Sequence, residues 1–251
     1  MKIIRALIIF AGLTLFWQAV VSLSGAPHYI LPGPWLVVQA LIARGDIILG
    51  HAGVTLAEII LGLILGTVLG SISALTLSYF RPARRWLMPI LVVSQAIPVF
   101  ALAPILVLWL GFGMISKVAM ATLIIYFPVT AAFFDGLRQT EPGHLDLAQT
   151  MNASRWAILR HIRIPAALPA FASGLRVATA VAPIGAIVGE WVGSSEGLGF
   201  LMLHANGRMQ IDVLFAALFV LAVIAVGLYY TVDAGLKRLL FWLPQSQSNE
   251  T

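Results

Sequence analysis

The chain has 251 residues, of which 60% are hydrophobic and only 10% are charged, and its formal net charge is +5. A water-soluble domain of this length needs far fewer apolar residues to fill its core, so the composition excludes an ordinary soluble protein. Charge-free intervals such as 59–80 are long enough to cover the roughly 30 Å of bilayer hydrocarbon as a helix. The apolar runs do not alternate with polar residues, which excludes a transmembrane β-barrel. The sequence therefore predicts an all-α polytopic membrane protein.

Six membrane spans are predicted within a single domain of residues 1–251. The spans are 5–24, 52–79, 86–110, 117–137, 171–192 and 211–236. The first span, with Lys2 and Arg5 at its start, resembles a secretory signal, but its apolar stretch is longer than a signal's and only a weak cleavage site follows it. We therefore expect this span to be retained rather than cleaved.

The segment between the first two spans, residues 25–50, is predicted to lie outside the membrane. Its Leu-Pro-Gly-Pro string at 31–34 predicts a turn. Residues 35–48 are mainly apolar with polar interruptions, which predicts a short helix at the membrane surface.

The basic residues orient the spans. Eleven of the fifteen fall on one side, namely Lys2, Arg5, Arg81, Arg84, Arg85, Arg138, Arg155, Arg160, Arg163, Lys237 and Arg238. Arg44, Lys117 and Arg208 fall on the other side, and Arg176 lies inside the start of the fifth span. By the positive-inside rule, both termini and the loop 138–170 are predicted to be cytoplasmic.

Glycines and prolines mark close packing and breaks within the spans. Glycine recurs every four residues in two spans, which lets helix backbones approach closely in lipid, within the subunit or across a dimer. These glycines are Gly62, Gly66 and Gly70 in the second span and Gly185, Gly189 and Gly193 in the fifth. Prolines inside spans are expected to kink or locally open the helices. They are Pro98, Pro104, Pro128 and Pro183.

Residues 146–169 of the cytoplasmic loop predict two short helices joined by a turn. Asp146 is expected near the positive N-terminus of the first helix, which a negative charge stabilises. Asn152 stands at the turn, because asparagine tolerates a left-handed backbone better than most residues. Ser154 is expected to cap the second helix, and Pro165 to end it.

This loop resembles the coupling loop of ABC importer permeases, whose pattern is Glu-Ala-Ala, three residues, Gly, nine residues and Ile-x-Leu-Pro. The matching positions here are Asp146, Ala148, Asn152, Ile162, Ile164 and Pro165. Further strings resemble the branch of the family that carries sulfonates, taurine, nitrate and thiamine-precursor pyrimidines. These strings are 31–34, 153–156, 165–176 and 197–199.

The resemblance implies the type I ABC importer permease fold and a permease subunit in the bacterial inner membrane. It also implies a second permease copy, a periplasmic or extracellular solute-binding protein, and ATPase subunits that contact the loop 138–170. The coupling residues carried over from the pattern are Asp146, Ala148, Asn152, Ile162 and Pro165. The chain has no G-x-x-x-x-G-K-[ST] phosphate-binding motif, so ATP and Mg²⁺ are assigned to the partner, and no metal or cofactor is expected here.

Glu58 and Glu190 are acidic residues within predicted spans, where an ionisable side chain is costly and indicates function by default. Glu58 shares the four-residue register of Gly62 and Gly66, so it faces protein. Glu190 lies at the outer end of the fifth span, beside Trp191. Glu190, Trp191 and Glu58 are therefore candidates for the substrate path. Either acid can instead be structural, bonded to backbone or to a neighbouring helix.

The solute is inferred from charge and from resemblance. Two carboxylates repel an anion in a low-dielectric passage unless cations compensate them. Relatives that carry sulfonate or nitrate often have a basic residue near the Glu58 position, and this chain has none there. Residues 189–195 and 203–210 look most like permeases for thiamine-precursor aminopyrimidines, whose donors and flat ring suit a carboxylate and an indole. We therefore expect an aminopyrimidine, with an aliphatic sulfonate, taurine or nitrate as the alternative.

A membrane-embedded enzyme and a passive channel are the competing classes. The five histidines are dispersed over loops and helix ends without an H-E-x-x-H motif, and no G-x-S-x-G lies within a span, which disfavours an enzyme. A passive channel has no use for a coupling loop. Import, as opposed to export, rests on the family resemblance alone.

Overall fold

A computed structural model describes residues 2–242, which form helices joined by short connections. Of the predicted 1–251 domain, Met1 and residues 243–251 lie outside the described residues. The helices are α1 Lys2–Ser24, α2 Pro34–Ala43, α3 Gly45–Tyr79, α4 Arg81–Ala96, α5 Val99–Leu110, α6 Met114–Arg138, α7 Pro142–Thr150, α8 Arg155–Ile158, a π turn Leu159–Arg163, α9 Ile164–Gly193, α10 Leu198–Gly207 and α11 Ile211–Leu239.

Four helical segments in the described part are long and apolar enough to cross a membrane. They are Gly45–Tyr79, Met114–Arg138, Arg155–Gly193 and Ile211–Leu239. Each contains one predicted span and extends beyond it. The extension has a physical reason: hydropathy marks only the part of a helix that lies in hydrocarbon, whereas backbone hydrogen bonding continues until a residue breaks it.

The predicted span 86–110 is two helices, α4 and α5, interrupted between Ala96 and Val99. Pro98 lacks an N–H and disfavours helical backbone at the residue before it, and Ile97 is accordingly extended, with φ −83° and ψ 118°. The expected local opening at Pro98 is therefore present. The predicted span 5–24 lies within α1, whose apolar part Ile8–Ser24 is shorter than the four long segments.

The predicted surface helix 35–48 is likewise divided. It comprises α2 and the start of α3, which are separated by Arg44 with φ −128°. Arg44 Nη1 donates a hydrogen bond of 3.0 Å to Gln210 Oε1, which ties this bend to the connection between α10 and α11.

Helix α6 packs between α3 and α9, and both contacts depend on glycine. A Cβ added to Gly62 of α3 would lie 2.5 Å from Ala121 Cβ, and one added to Gly185 of α9 would lie 2.7 Å from Ala121 Cα. A Cβ added to Gly66 would similarly lie 2.6 Å from a methyl carbon of Ile125. No side chain fits at these distances, so the backbones touch, as small residues permit in membrane helices. Both glycine series thus pack within the subunit.

The two ends of the α3–α6–α9 core carry different elements. At the end that bears α7 and α8, Leu159 of the π turn is buried against Phe133, Phe134 and Leu137 of α6. At the opposite end, α10 packs against α9 and α11. We call these the coupling end and the α10 end.

Candidate functional site

The coupling element, α7 to the π turn, has the local geometry that the sequence predicts at its turn. Asn152 has a φ of 59°, so its backbone is left-handed. Ser154 Oγ accepts a hydrogen bond of 3.2 Å from the Ala157 N–H and thereby caps α8. Both predictions of conformation are confirmed, because each depends on the preferences of a single residue type at a chain reversal.

Two other predictions for this element are wrong. Helix α7 begins at Pro142, so Asp146 lies in its middle instead of its first turn. Proline favours the first helical position, where its missing N–H costs nothing, and this explains the earlier start. Pro165 does not end a helix, because it lies in the first turn of α9, which follows the π turn Leu159–Arg163 directly. We interpret the wider π turn as the feature that lets the helix pass Pro165.

A groove of about 380 Å³ opens between α7 and the π turn. Its lining residues are His144, Leu147, Ala148, Met151, His161, Ile162 and Ala166. Ala148 and Ile162, which stand far apart in the sequence pattern, therefore line one groove. Leu147 and Met151 are 60% and 75% exposed on this projecting element, and clustered exposed apolar side chains indicate a protein contact. Asp146, Asn152 and Pro165 are also exposed.

A second polar site lies inside the helix core, toward the α10 end. Glu58 of α3 and Glu190 of α9 are 0% and 1% exposed. Glu190 Oε1 accepts a hydrogen bond of 2.6 Å from Thr55 Oγ1, and Glu190 Oε2 accepts one from the Gly199 N–H. Lys117 Nζ of α6 lies 3.4 Å from Glu58 Oε1. The site thus brings together side chains from the three core helices.

Side chains at this site accept hydrogen bonds from backbone N–H groups at the start of α10. Leu198 N–H donates to Thr55 Oγ1 at 2.8 Å, and Gly197 N–H donates to His51 Nδ1 at 3.0 Å. A helix N-terminus leaves such donors without partners inside the helix, and buried donors need acceptors. His51, Thr55 and Glu190 therefore fix the start of α10 to α3 and α9.

Sequence reasoning missed His51, Thr55 and Lys117. A signal for the first two exists, because His51, Thr55, Glu58 and Gly62 recur every three or four residues and so share one face of α3. Lys117 gives no such signal. It lies at the start of α6 and meets Glu58 only through tertiary packing.

Lys117 also overturns the charge argument about the solute. The sequence places it at the outer end of the fourth span, on the side away from most basic residues, but it is only 4% exposed and faces Glu58. No basic residue lies near Glu58 in the sequence, but helix packing supplies a compensating cation from α6. The expectation of a neutral or weakly basic solute loses this support.

Trp191 is separate from the buried site. Its side chain is 52% exposed, whereas that of the preceding residue, Glu190, is buried. Successive residues on a helix point about 100° apart, which accounts for the difference. Among residues 2–242, no group of three or more His, Asp and Glu side chains could hold a metal ion.

Comparison with known proteins gives the family. Residues 66–240 match the family described as "Binding-protein-dependent transport system inner membrane component". The chain is 56% identical to a "Probable ABC transporter permease protein" of Haemophilus influenzae, with 96% of this chain and 98% of that protein covered. It is 38% identical to the formylaminopyrimidine transport permease protein ThiX of Halalkalibacterium halodurans, with 86% and 87% covered. It is 40% identical to the riboflavin transport system permease protein RibX of Chloroflexus aurantiacus, with 91% and 85% covered.

A solved structure described as "Inward facing conformations of the MetNI methionine ABC transporter" has the same fold. The TM-score is 0.68 at 18% identity, and the match covers 78% of this chain and 98% of that chain. The likeness confirms the predicted all-α permease fold and carries no more than the fold. The family match covers well over half of the chain and assigns it to the inner membrane. The chain therefore belongs to the binding-protein-dependent transport system inner membrane components, as the permease subunit of an ABC importer that is not itself an ATPase.

Proposed function

We propose that this permease imports a thiamine-precursor aminopyrimidine. The observation that carries the proposal is the 38% identity to the formylaminopyrimidine permease over 86% of the chain. The 40% identity to the riboflavin permease makes riboflavin the second candidate. Both solutes are flat nitrogen heterocycles, so the two relatives favour a heteroaromatic solute over the alternative of an aliphatic sulfonate, taurine or nitrate.

The working unit that we propose contains two copies of this chain, two ATPase subunits and a solute-binding protein. ABC permeases pair with ATPase subunits and binding proteins, and one copy would supply half of the passage. The excess of basic residues at the coupling end supports a cytoplasmic location for that end and for both termini. The binding protein would then meet the α10 end.

The coupling element is the proposed contact for the ATPase. Ala148 and Ile162 line its groove, while Asp146 and Asn152 lie on its exposed surface. Pro165 is exposed in the first turn of α9, directly after the element. The left-handed turn at Asn152 sets the angle between α7 and α8. Burial of Leu159 against α6 supports transmission of a movement from this element to the core.

The candidates for the substrate path differ in exposure. Trp191 is exposed and so remains available to stack on a flat solute, by itself or across a dimer. The geometry around Glu190 supports the structural alternative, because both of its carboxyl oxygens accept hydrogen bonds from the protein. Contact of Glu58 or Glu190 with the solute stays a hypothesis, and the Glu58→Gln variant described below tests it for Glu58.

The experiment is uptake of a labelled formylaminopyrimidine into vesicles that contain the permease, its ATPase and its binding protein. We expect ATP-dependent uptake that unlabelled aminopyrimidine blocks and that taurine and an alkanesulfonate do not block. Block by riboflavin together with uptake of labelled riboflavin would replace the first candidate with the second. Uptake of the sulfonates alone would refute a heteroaromatic solute, and uptake without the ATPase would indicate a channel.

A further inference from the structure

The buried charge cluster, which comprises Glu58, Lys117 and Glu190, is not explained by solute transport or by ATPase coupling. Each member comes from a different core helix, and their exposed fractions are 0%, 4% and 1%. A buried ionised group is costly unless another group compensates it. The Lys117 ammonium group faces the Glu58 carboxyl group within this buried cluster.

Glu58 has fewer hydrogen-bond partners in the fold than Glu190. Among residues 2–242, neither carboxyl oxygen of Glu58 has a hydrogen bond of ordinary geometry. Lys117 Nζ, 3.4 Å from Oε1, is the cation that faces it. Glu190 differs, because Thr55 and Gly199 donate to its two oxygens. Removal of the Lys117 charge should therefore affect Glu58 first.

Lys117 lies where three helices cross. A Cβ added to Gly189 of α9 would lie 3.1 Å from Lys117 Cα, so the α6 backbone is pressed against α9 at this point. The side chain of Lys117 reaches α3 at Glu58. Thr55, three residues before Glu58 on α3, binds both Glu190 and the Leu198 N–H of α10. A continuous set of contacts thus runs from Lys117 to the start of α10.

We propose that Lys117 and Glu58 are positioning residues for transport. Their charge pairing fixes the crossing of α3, α6 and α9, and the Thr55–Glu190 contacts carry that position to α10. In this role neither residue contacts the solute, so the proposal competes with the substrate-path hypothesis for Glu58. The transport readout rests on the proposed function, whereas the stability readout does not.

The test uses Lys117→Met, Glu58→Gln and the double variant in vesicles with ATPase and binding protein. We expect Lys117→Met to lower maximal uptake roughly tenfold or more, because a buried carboxyl loses its cation. The concentration of loaded binding protein that gives half-maximal uptake should not change. The double variant should recover most of the loss, since it removes both charges. Lys237→Met is the matched control, because Lys237 is 63% exposed in its ion pair with Asp233.

The thermal stability of the purified protein in detergent gives a readout that needs no solute. Lys117→Met should melt at a lower temperature than wild type, and the double variant should regain most of the difference. Poor membrane insertion of Lys117→Met with normal insertion of the double variant would also support the proposal. Wild-type behaviour of Lys117→Met would overturn it. A double variant as defective as Lys117→Met would also overturn the proposal. A stable double variant that needs more loaded binding protein for half-maximal uptake, or that prefers another solute, would overturn it as well. Absence of pyrimidine uptake by the wild type would count against the proposed solute only.

Discussion

At the residue scale, Gly197 is the position where the backbone and the carboxyl group of Glu190 constrain each other most tightly. Gly197 has a φ of 107°, and an added Cβ would overlap the Glu190 carboxyl. Gly197→Ala should therefore destabilise the protein by about 1–3 kcal/mol, since it adds backbone strain and displaces a bound side chain. Thermal unfolding in detergent measures the loss, and hydrogen exchange should locate it at the start of α10.

Gly207→Ala is the control for that change. Gly207 lies at the other end of α10, and a Cβ there would meet no atom within 4 Å. Equal unfolding temperatures for the two variants would contradict the claim that Gly197 is constrained. Gly111→Ala separates the causes further, because Gly111 has a φ of 83° and open space around it. The stability that Gly111→Ala loses should reflect backbone strain alone.

The partner of Arg176 is not indicated by the sequence. The sequence leaves this arginine inside a span without an explanation. In the fold, Arg176 Nε donates a 2.7 Å hydrogen bond to Asp233 Oδ1 of α11, and Lys237 Nζ lies 2.6 Å from Asp233 Oδ2. Arg176 and Asp233, like Lys117 and Glu58, are distant from each other in the chain. Charge spacing along one sequence does not indicate such partners, because they are set by how helices pack.

At the scale of elements, the groove between α7 and the π turn predicts a substitution that should separate ATP hydrolysis from uptake. Ala148 is 6% exposed, so a phenylalanine there overfills the groove and shifts α7 relative to Ile162. Ala148→Phe should leave the protein in the membrane and the ATPase active, but reduce uptake about tenfold through loss of coupling. Uptake and ATP hydrolysis measured on the same vesicles check this.

Gly143→Ala is the matched control on the same helix. Gly143 lies near the start of α7, and an added Cβ would meet no atom within 4 Å. Its uptake per ATP should equal that of the wild type. If Ala148→Phe also transported normally with the ATPase bound, the assignment of α7 to coupling would be refuted.

The elements differ in how far local rules predict them. The turn at Asn152 and the cap at Ser154 follow from residue preference, and the break at Pro98 follows from proline geometry. The helical continuation of the chain past Pro165 does not follow from local preferences. It depends on a π turn whose Leu159 is held by tertiary packing. The same limit applies to the N-terminus of α10, whose acceptors come from α3 and α9.

At the scale of the whole molecule, the orientation in the membrane can be measured directly because the chain contains no cysteine. Thr150 at the coupling end and Asn206 at the α10 end are both exposed. In intact cells, an impermeant maleimide should label Asn206→Cys and spare Thr150→Cys until the membrane is opened, as the positive-inside rule requires. The reverse pattern would refute the proposed location of the coupling element, and the cysteine-free wild type gives the background.

The run Arg155–Gly193 has one more consequence for the assembled transporter. It is a helical rod of 39 residues, about 58 Å at 1.5 Å per residue. One end carries α8 of the coupling element, and the other carries Glu190, which holds α10. A tilt of about 10° at the ATPase would displace the far end of a rod this long by about 10 Å. If the coupling element contacts the ATPase as proposed, leverage of this kind would convert a small motion at one membrane surface into a large one at the other, without a separate messenger between them.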